Sequence, residues 1–273
     1  MKVHIGIDDT DSKKGMCTTY LGAVLKDRLE RFSKVLELRL VRLNPNIPWK
    51  TRGNGAVALT IETPDYHRAV KETVEAVREY SAMEESGTNP GIVFLRGEVD
   101  PELPPFYYKA LRKIVTIEEA EALSEKHGCE VYKFKEGRGI IGALAAIGAN
   151  LTVHTYEFIT YRMPKNWGKP RLVDPSSVFE MERATYPKTF NNVDKETLRI
   201  LITPRSPCPV LFGIRGRSRE VLMTAKDMIK LGEPVERYAV FKTNQGTDVH
   251  LSPCKISQVR PFTSVIVKGT VVD

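Results

Sequence analysis

The first third of the chain alternates short apolar runs with helical patterns in an order that few folds accept. Val3-His4-Ile5-Gly6-Ile7 is an apolar run that halts at Asp8-Asp9-Thr10-Asp11, as a buried strand delivering an acidic loop would. Residues 17–33 then place Leu21, Leu25, Leu29 and Phe32 at helical spacing. Residues 35–43 and 56–61 read as strands. Thr63 as N-cap and Pro64 at the first helical position open a second helix, with Tyr66, Val70, Val74 and Val77 as its apolar stripe. Gly91-Ile92-Val93-Phe94-Leu95 is a further strand. The succession β-α-β-β-α-β predicts an α+β, ferredoxin-like arrangement with an antiparallel sheet.

A second α+β unit is expected beyond it. Pro101 to Pro105 start one helix, and Thr116 with Glu119 forms a capping box for another that Gly128 ends. Strands are predicted at 130–134, 155–161, 198–203 and 209–214, and a helix of small residues at 139–149. Ser218 caps a helix that Gly232 and Pro234 close. The span 162–192 has little periodicity, and a loop of that length is often functional. From Val235 the pattern turns β-rich: a strand at 237–242, a turn at Asn244-Gln245-Gly246, a return at 249–251, and more β character at 262–272. This predicts the start of an OB-like β-barrel that stops inside a domain. The expected division is 1–117, 118–233 and 234–273.

Composition narrows the partners. The 273 residues carry 41 Lys+Arg against 34 Asp+Glu, a net charge of +7, so an anionic partner fits, as does a basic protein with none. Cys17, Cys129, Cys208 and Cys254 form no C-x-x-C pair, which predicts a reducing cytoplasm and no zinc in this chain. The N-terminus turns acidic too early for a signal peptide. No apolar run nears the ~20 residues of a membrane span.

Several positions have residue types suited to chemistry. Asp8, Asp9 and Asp11 lie within four residues at a strand end, ahead of Gly15 and a helix start at Cys17-Thr18-Thr19. Three crowded carboxylates repel one another unless a cation joins them. Magnesium takes one or two carboxylates plus phosphate oxygens. The helix start offers backbone N–H groups to a phosphate. Turn-forming Asx residues and a first-turn cap at Thr18 account for the same residues structurally. Lys50-Thr51-Arg52-Gly53-Asn54-Gly55 reads either as a phosphate clamp or as a hairpin loop. Gly139 and Gly142, after Arg138, either admit a phosphate or permit close helix packing. Arg205, Arg215, Arg217 and Arg219 form a basic cluster, fit for RNA backbone or for solvent. The five histidines lack metal-binding spacing.

Three stretches together resemble one family: Gly6-Ile7-Asp8-Asp9-Thr10-Asp11-Ser12 with Gly15-Met16-Cys17-Thr18-Thr19-Tyr20; Asn44-Pro45 through Lys50-Thr51-Arg52-Gly53-Asn54-Gly55-Ala56; and Gly137-Arg138-Gly139-Ile140-Ile141-Gly142 through Gly148. They are similar to the archaeal tRNA(isoleucine) agmatinylcytidine synthetases. The resemblance implies a kinase-like domain, a ferredoxin-like domain, an OB domain and a zinc ribbon, the last missing from this chain. It implies an ATP-dependent ligase that joins agmatine to carbon-2 of the wobble cytidine in a CAU anticodon. Asp8, Asp9 and Asp11 would hold magnesium, and Thr18 matches a threonine that accepts a phosphoryl group. Ser12, Gly15, Cys17, Lys50, Arg52, Arg138 and Gly139 are the expected nucleotide contacts. Arg215, Arg217 and Lys242 are the expected RNA contacts. The partners implied are isoleucine tRNA, agmatine and ATP, with no membrane and no obligate protein partner. Two other readings fit the residues: a nucleic-acid-binding module without catalysis, and another magnesium- and ATP-dependent phosphotransferase.

Overall fold

The computed structural model describes residues 1–261 and 263–271. Strands β1 (Lys2–Asp8), β2 (Lys34–Arg42), β3 (Gly55–Glu62) and β4 (Gly91–Arg96) alternate with helices α1 (Thr18–Leu29) and α2 (Tyr66–Tyr80) in the predicted order. Beyond them come α3 (Leu103–Arg112), α4 (Ile117–Lys126), β5 (Glu130–Lys133), α5 (Ile140–Gly148) and β6 (Thr155–Arg162). Then follow α6 (Pro175–Thr185), β7 (Thr189–Phe190), β8 (Val193–Asp194), β9 (Arg199–Ile200), β10 (Val210–Gly216), α7 (Arg219–Asp227) and β11 (Val235–Thr243). Two short strands, β12 (Ser252–Pro253) and β13 (Val265–Ile266), pair in parallel near the end.

Nine strands make one sheet, ordered β5-β4-β1-β3-β2-β11-β6-β10-β7. The two α+β units share this sheet, and beside it stand only the two-stranded pairs β8-β9 and β12-β13 among the described residues. The N-terminal strands pair antiparallel as β4-β1-β3-β2, and β11 then joins β2 in parallel through Lys242–Arg39 and Thr243–Leu40. The strand expected to open a barrel is thus an interior strand of the sheet, bonded on its other edge to β6. Its inward residues explain this: Ala239 and Phe241 are buried in the same core as Leu40 and Ile159. No closed barrel exists among the described residues. The expected return at 249–251 is a turn rather than a strand. Of the β character expected at 262–272, β13 is present, while Phe262 and Val272 lie outside the described residues.

Helices α1 and α2 cover one face of the N-terminal strands with Leu21, Leu25, Val70 and Val77 against Ile5, Ile7 and Leu59. Helices α3 and α5 cover the other with Phe106, Leu111, Leu144 and Ile147. Helix α7 packs on β6 and β10, and α6 packs against α7 and the short strands β7 to β9. Helix α5 lies unusually close to the sheet. A Cβ on Gly6 would overlap the Ala143 carbonyl, and one on Gly91 would overlap the Ile140 nitrogen. The small residues of 139–149 therefore serve close packing.

Local capping departs from expectation in two places. Asp65, not Thr63, caps α2: its side chain accepts from Arg68 N at 2.9 Å, while Thr63 is buried and takes Asp65 N at 3.2 Å. The aperiodic span 162–192 holds α6, which Asp174 caps by accepting from Ser176 N at 2.9 Å, with Pro175 at the first position. The strand predicted at 198–203 shrinks to β9. The box at Thr116 and Glu119 and the cap at Ser218 form as expected. No helix among the described residues is long and apolar enough to cross a membrane.

Candidate active site

The carboxyl end of β1, the amino ends of α1 and α5, the 47–55 loop and strands β6 and β10 surround a cavity of about 380 Å³. Asp8, Asp9, Asp11, Cys17, Thr18, Lys50, Arg52, Arg138, Gly139 and Arg215 all line it. Residues separated by up to some two hundred positions in sequence thus converge on one space.

Asp8 ends β1 and is pressed under α5, where a Cβ on Gly142 would overlap its Oδ2. Burial first, and the neighbouring Asp9 carboxylate second, push its pKa up to about 8. Asp9 stands in left-handed backbone at φ 57° and accepts from Arg138 Nη2 at 2.8 Å. Burial raises its pKa, and the Arg138 guanidinium opposes that rise. Asp11 is paired with Arg52, which also donates to Ser206 Oγ at 3.1 Å. Arg52 thereby ties the acidic loop to the far wall of the cavity.

Cys17 is the N-cap of α1 but makes no capping bond. Its thiol lies 3.1 Å from Thr19 Oγ1, and burial, then the nearby Cys208, push its pKa up. That favours an inert thiol over a thiolate. Thr18 is the first residue of α1 and does not act as its cap. Thr10, fully buried, donates to Thr18 Oγ1 at 3.0 Å. The first turn of α1 contains no acidic residue and no side-chain cap, so its first N–H groups remain open to an anion.

Other expected contacts sit elsewhere. Ser12 and Gly15 form a small bridge of their own behind the cavity, with Ser12 Oγ taking Lys14 N at 3.1 Å. Lys50 lines the cavity, but its ammonium folds back on the Pro45 carbonyl. Arg217 lies outside, in a shallow depression with Lys188 and Glu220. Lys242 pairs with Glu37 at 3.0 Å. Thr10, Arg42, Trp49, Glu157 and Ser206 belong to the site or support it and went unnoticed in the sequence. Glu157 had a readable signal: it is a lone acid at an inward position of a buried strand.

An oxygen-only donor set suits a hard cation. The raised pKa of Asp8 marks a buried carboxyl group short of positive charge. Asp8, Asp9 and Asp11 do not bring their oxygens within 4.8 Å of one another; among the described residues only Asp100, Glu102 and His127 form such a group. The arrangement thus fits a magnesium ion that shares one or two carboxylates with phosphate oxygens.

Residues 4–136 match a family model described as the TiaS TCKD domain, and residues 137–250 match one described as the TiaS FLD domain. The two matched spans meet after β5, which pairs with β4. The tRNA(isoleucine-2) 2-agmatinylcytidine synthetase TiaS of Pyrococcus horikoshii is 52% identical over 274 residues, covering 99% of this chain and 65% of that protein. The chain thus spans just under two thirds of that relative's length. A solved complex of TiaS with tRNA(isoleucine-2) and ATP superposes with a TM-score of 0.90 at 43% identity, covering 97% of this chain and 64% of that one. A complex of TiaS with tRNA(isoleucine-2), AMPCPP and agmatine gives a TM-score of 0.90 at 42% identity, over 97% and 65%.

Proposed function

The chain belongs to the TiaS family, and from that premise we propose that it houses the ATP-dependent centre of a tRNA(isoleucine-2) 2-agmatinylcytidine synthetase. The observation that carries this reading is the placement of Thr18 at the open start of α1, facing a cavity shared with Asp8, Asp9, Asp11, Arg52 and Arg138. The work divides along the matched spans. Residues 4–136 act as the kinase-like unit, and residues 137–250, ferredoxin-like in role, supply the far wall. The substrates are ATP, agmatine and the wobble cytidine of an isoleucine tRNA with a CAU anticodon, and the enzyme works in the cytoplasm.

The residue chemistry follows from the reaction. The carbon-2 oxygen of cytosine is a poor leaving group. Phosphorylating it lets the agmatine amine attack carbon-2 and expel phosphate, closing one C–N bond as one C–O bond opens. Phosphoryl transfer asks chiefly for positioning and for positive charge around the phosphate oxygens. Arg52 and Arg138 supply that charge once a phosphate draws them from Asp11 and Asp9. The α1 N–H groups add a preformed anion cradle. Asp8, with one of Asp9 and Asp11, would hold magnesium, which neutralises phosphate charge when bound. Thr10 donates to Thr18 Oγ1 and so fixes the direction of the hydroxyl that accepts a phosphoryl group. A cytidine flipped out of its stack is required, because the reacting atom lies on the pairing edge.

Incubation with ATP labelled at the γ-phosphate, followed by peptide mapping, tests the reading. Label is expected on Thr18, reduced in Thr18→Ser, absent from that peptide in Thr18→Ala, and strongly reduced in Asp8→Asn. A simple structural role for Thr18 instead costs Thr18→Ala about 1 kcal/mol or less of stability and leaves phosphorylation unaffected. Label elsewhere only, or full labelling of Asp8→Asn, refutes the proposal.

A further inference from the structure

Glu157 and Arg215 face each other across β6 and β10 on the floor of the cavity. Glu157 is 5% exposed. Its Oε1 lies 3.4 Å from Arg215 Nε, and its Oε2 lies 3.5 Å from Arg42 Nη2. Both contacts are charge proximity without hydrogen bonds. Glu157 Oε2 and Arg215 Nε are buried and have no hydrogen-bond partner. Such groups are costly to leave unmade inside a protein. Here an acceptor and a donor stand side by side, both at the edge of a ligand-sized space.

We propose that Glu157 and Arg215, flanked by Arg42, read the pairing edge of the target cytosine and reject uracil. This rests on the cytidine reading above. Cytosine presents one donor, its 4-amino group, beside two acceptors, N3 and O2. A carboxylate accepts from the amino group, and a guanidinium donates to the acceptors. Uracil replaces the donor with a carbonyl oxygen, which would face the Glu157 carboxylate with no proton between them. The local charge decides against the other basic candidate. Two guanidiniums against one carboxylate leave a surplus of +1 (2 − 1), which repels a dication such as agmatine and accepts a neutral base. Arg215 directed at O2 also stabilises the oxygen on which the phosphoryl group must land.

Trp49 provides the assay. It is 47% exposed and lines the cavity, whereas Trp167 packs edge-on against Tyr20. Quenching of its fluorescence by cytidine, uridine and pyrimidin-2-one ribonucleoside monophosphates, with and without agmatine, reads occupancy. The intact chain is expected to prefer CMP to UMP by about 5- to 150-fold, the range of one good base contact. The pyrimidin-2-one nucleotide, which lacks the amino group, is expected to bind worse than CMP on the unaltered chain. In Glu157→Gln the amide can turn either its oxygen or its nitrogen to the base, so discrimination should narrow to within about threefold. Arg215→Met should weaken both nucleotides.

Equal binding of CMP and UMP, equal binding of CMP and the pyrimidin-2-one nucleotide, or no CMP binding at millimolar concentration overturns the proposal. So does an unchanged preference in a folded Glu157→Gln. Competition by agmatine that vanishes in that variant assigns Glu157 to the amine and overturns it as well. If Glu157→Gln does not fold, the pyrimidin-2-one arm decides alone. Thr18 labelling run in parallel separates the two ideas: loss of labelling with cytosine preference intact rejects the kinase reading and leaves this one standing.

Discussion

Gly142→Ala isolates the fit between helix α5 and the acidic loop that follows β1. Within a helix, alanine in place of glycine stabilises by about 1 kcal/mol. At this position the new Cβ would overlap Asp8 Oδ2 and lie 2.7 Å from Asp8 Cγ. Ordinary contact requires the carboxylate to move by more than about an ångström, and overpacking of this kind costs about 1–3 kcal/mol. The two effects nearly cancel, leaving a net loss of about 0–2 kcal/mol. For a protein of this size that lowers Tm by less than about 8 °C. The chemistry has no such compensation, because a misplacement of about 1 Å at a reacting centre can cost about 100-fold in rate. Thermal unfolding and the initial rate of Thr18 phosphorylation, measured on the same preparation, make the comparison. The expected variant is nearly as stable as the parent and labelled about a hundredfold more slowly. A stable variant labelled at the parental rate would refute the idea that α5 fixes Asp8.

Two further perturbations test the scaffold. Arg162 and Glu233 are both buried and doubly hydrogen-bonded at 2.7 and 3.0 Å, and Glu233 also takes Asn166 Nδ2 and Leu172 N at 3.0 Å. Glu233→Ala removes the guanidinium's buried counter-charge, leaving it only the Lys169 and Pro170 carbonyls, and should cost about 3–5 kcal/mol, read as a fall in Tm; a change under about 1 kcal/mol contradicts the burial argument. His4 is held neutral between Thr60 Oγ1 at 3.0 Å and the Gly97 carbonyl at 3.1 Å, and burial, then Arg39, lowers its pKa from 6.5 to about 4. Its contribution is whole above pH 6.5 and is lost as pH falls through 6.5 toward 4, about 3 kcal/mol in all. Denaturant titrations of the parent and His4→Gln across that window should diverge, and parallel curves would refute the assignment.

The parts of the fold that local rules dictate were legible in the sequence. The six N-terminal elements carried their own periodicity, and Thr116, Glu119 and Ser218 announced their helices through capping chemistry. Asp174 and Pro175 offered the same signal for α6, but the aperiodic residues around them obscured it. The destination of β11 was not legible, because alternating apolar residues fix a strand and its buried face but not its neighbours. The site divides the same way. Asp8, Asp9, Asp11 and Thr18 lie within one loop and helix start, so their proximity is local. Glu157, Arg215 and Ser206 reach the cavity through long-range pairing, which no short motif records.

That pairing also sets an order of assembly. The second unit is stitched to the first where β11, some two hundred residues downstream of β2, lies down beside it through Lys242–Arg39 and Thr243–Leu40. Strands joined over such separations close late, since chain entropy must be spent before the contacts repay it. On the ribosome, residues up to β5 can already bury Ile5, Leu21 and Leu59 while the far wall of the cavity is still unmade. The acidic loop and its threonine thus emerge early, in a nascent chain surrounded by cellular ATP, yet without Glu157, Ser206 or Arg215 opposite them. On that order, the nine-stranded sheet that carries both walls of the cavity is complete only once β11 takes its place between β2 and β6.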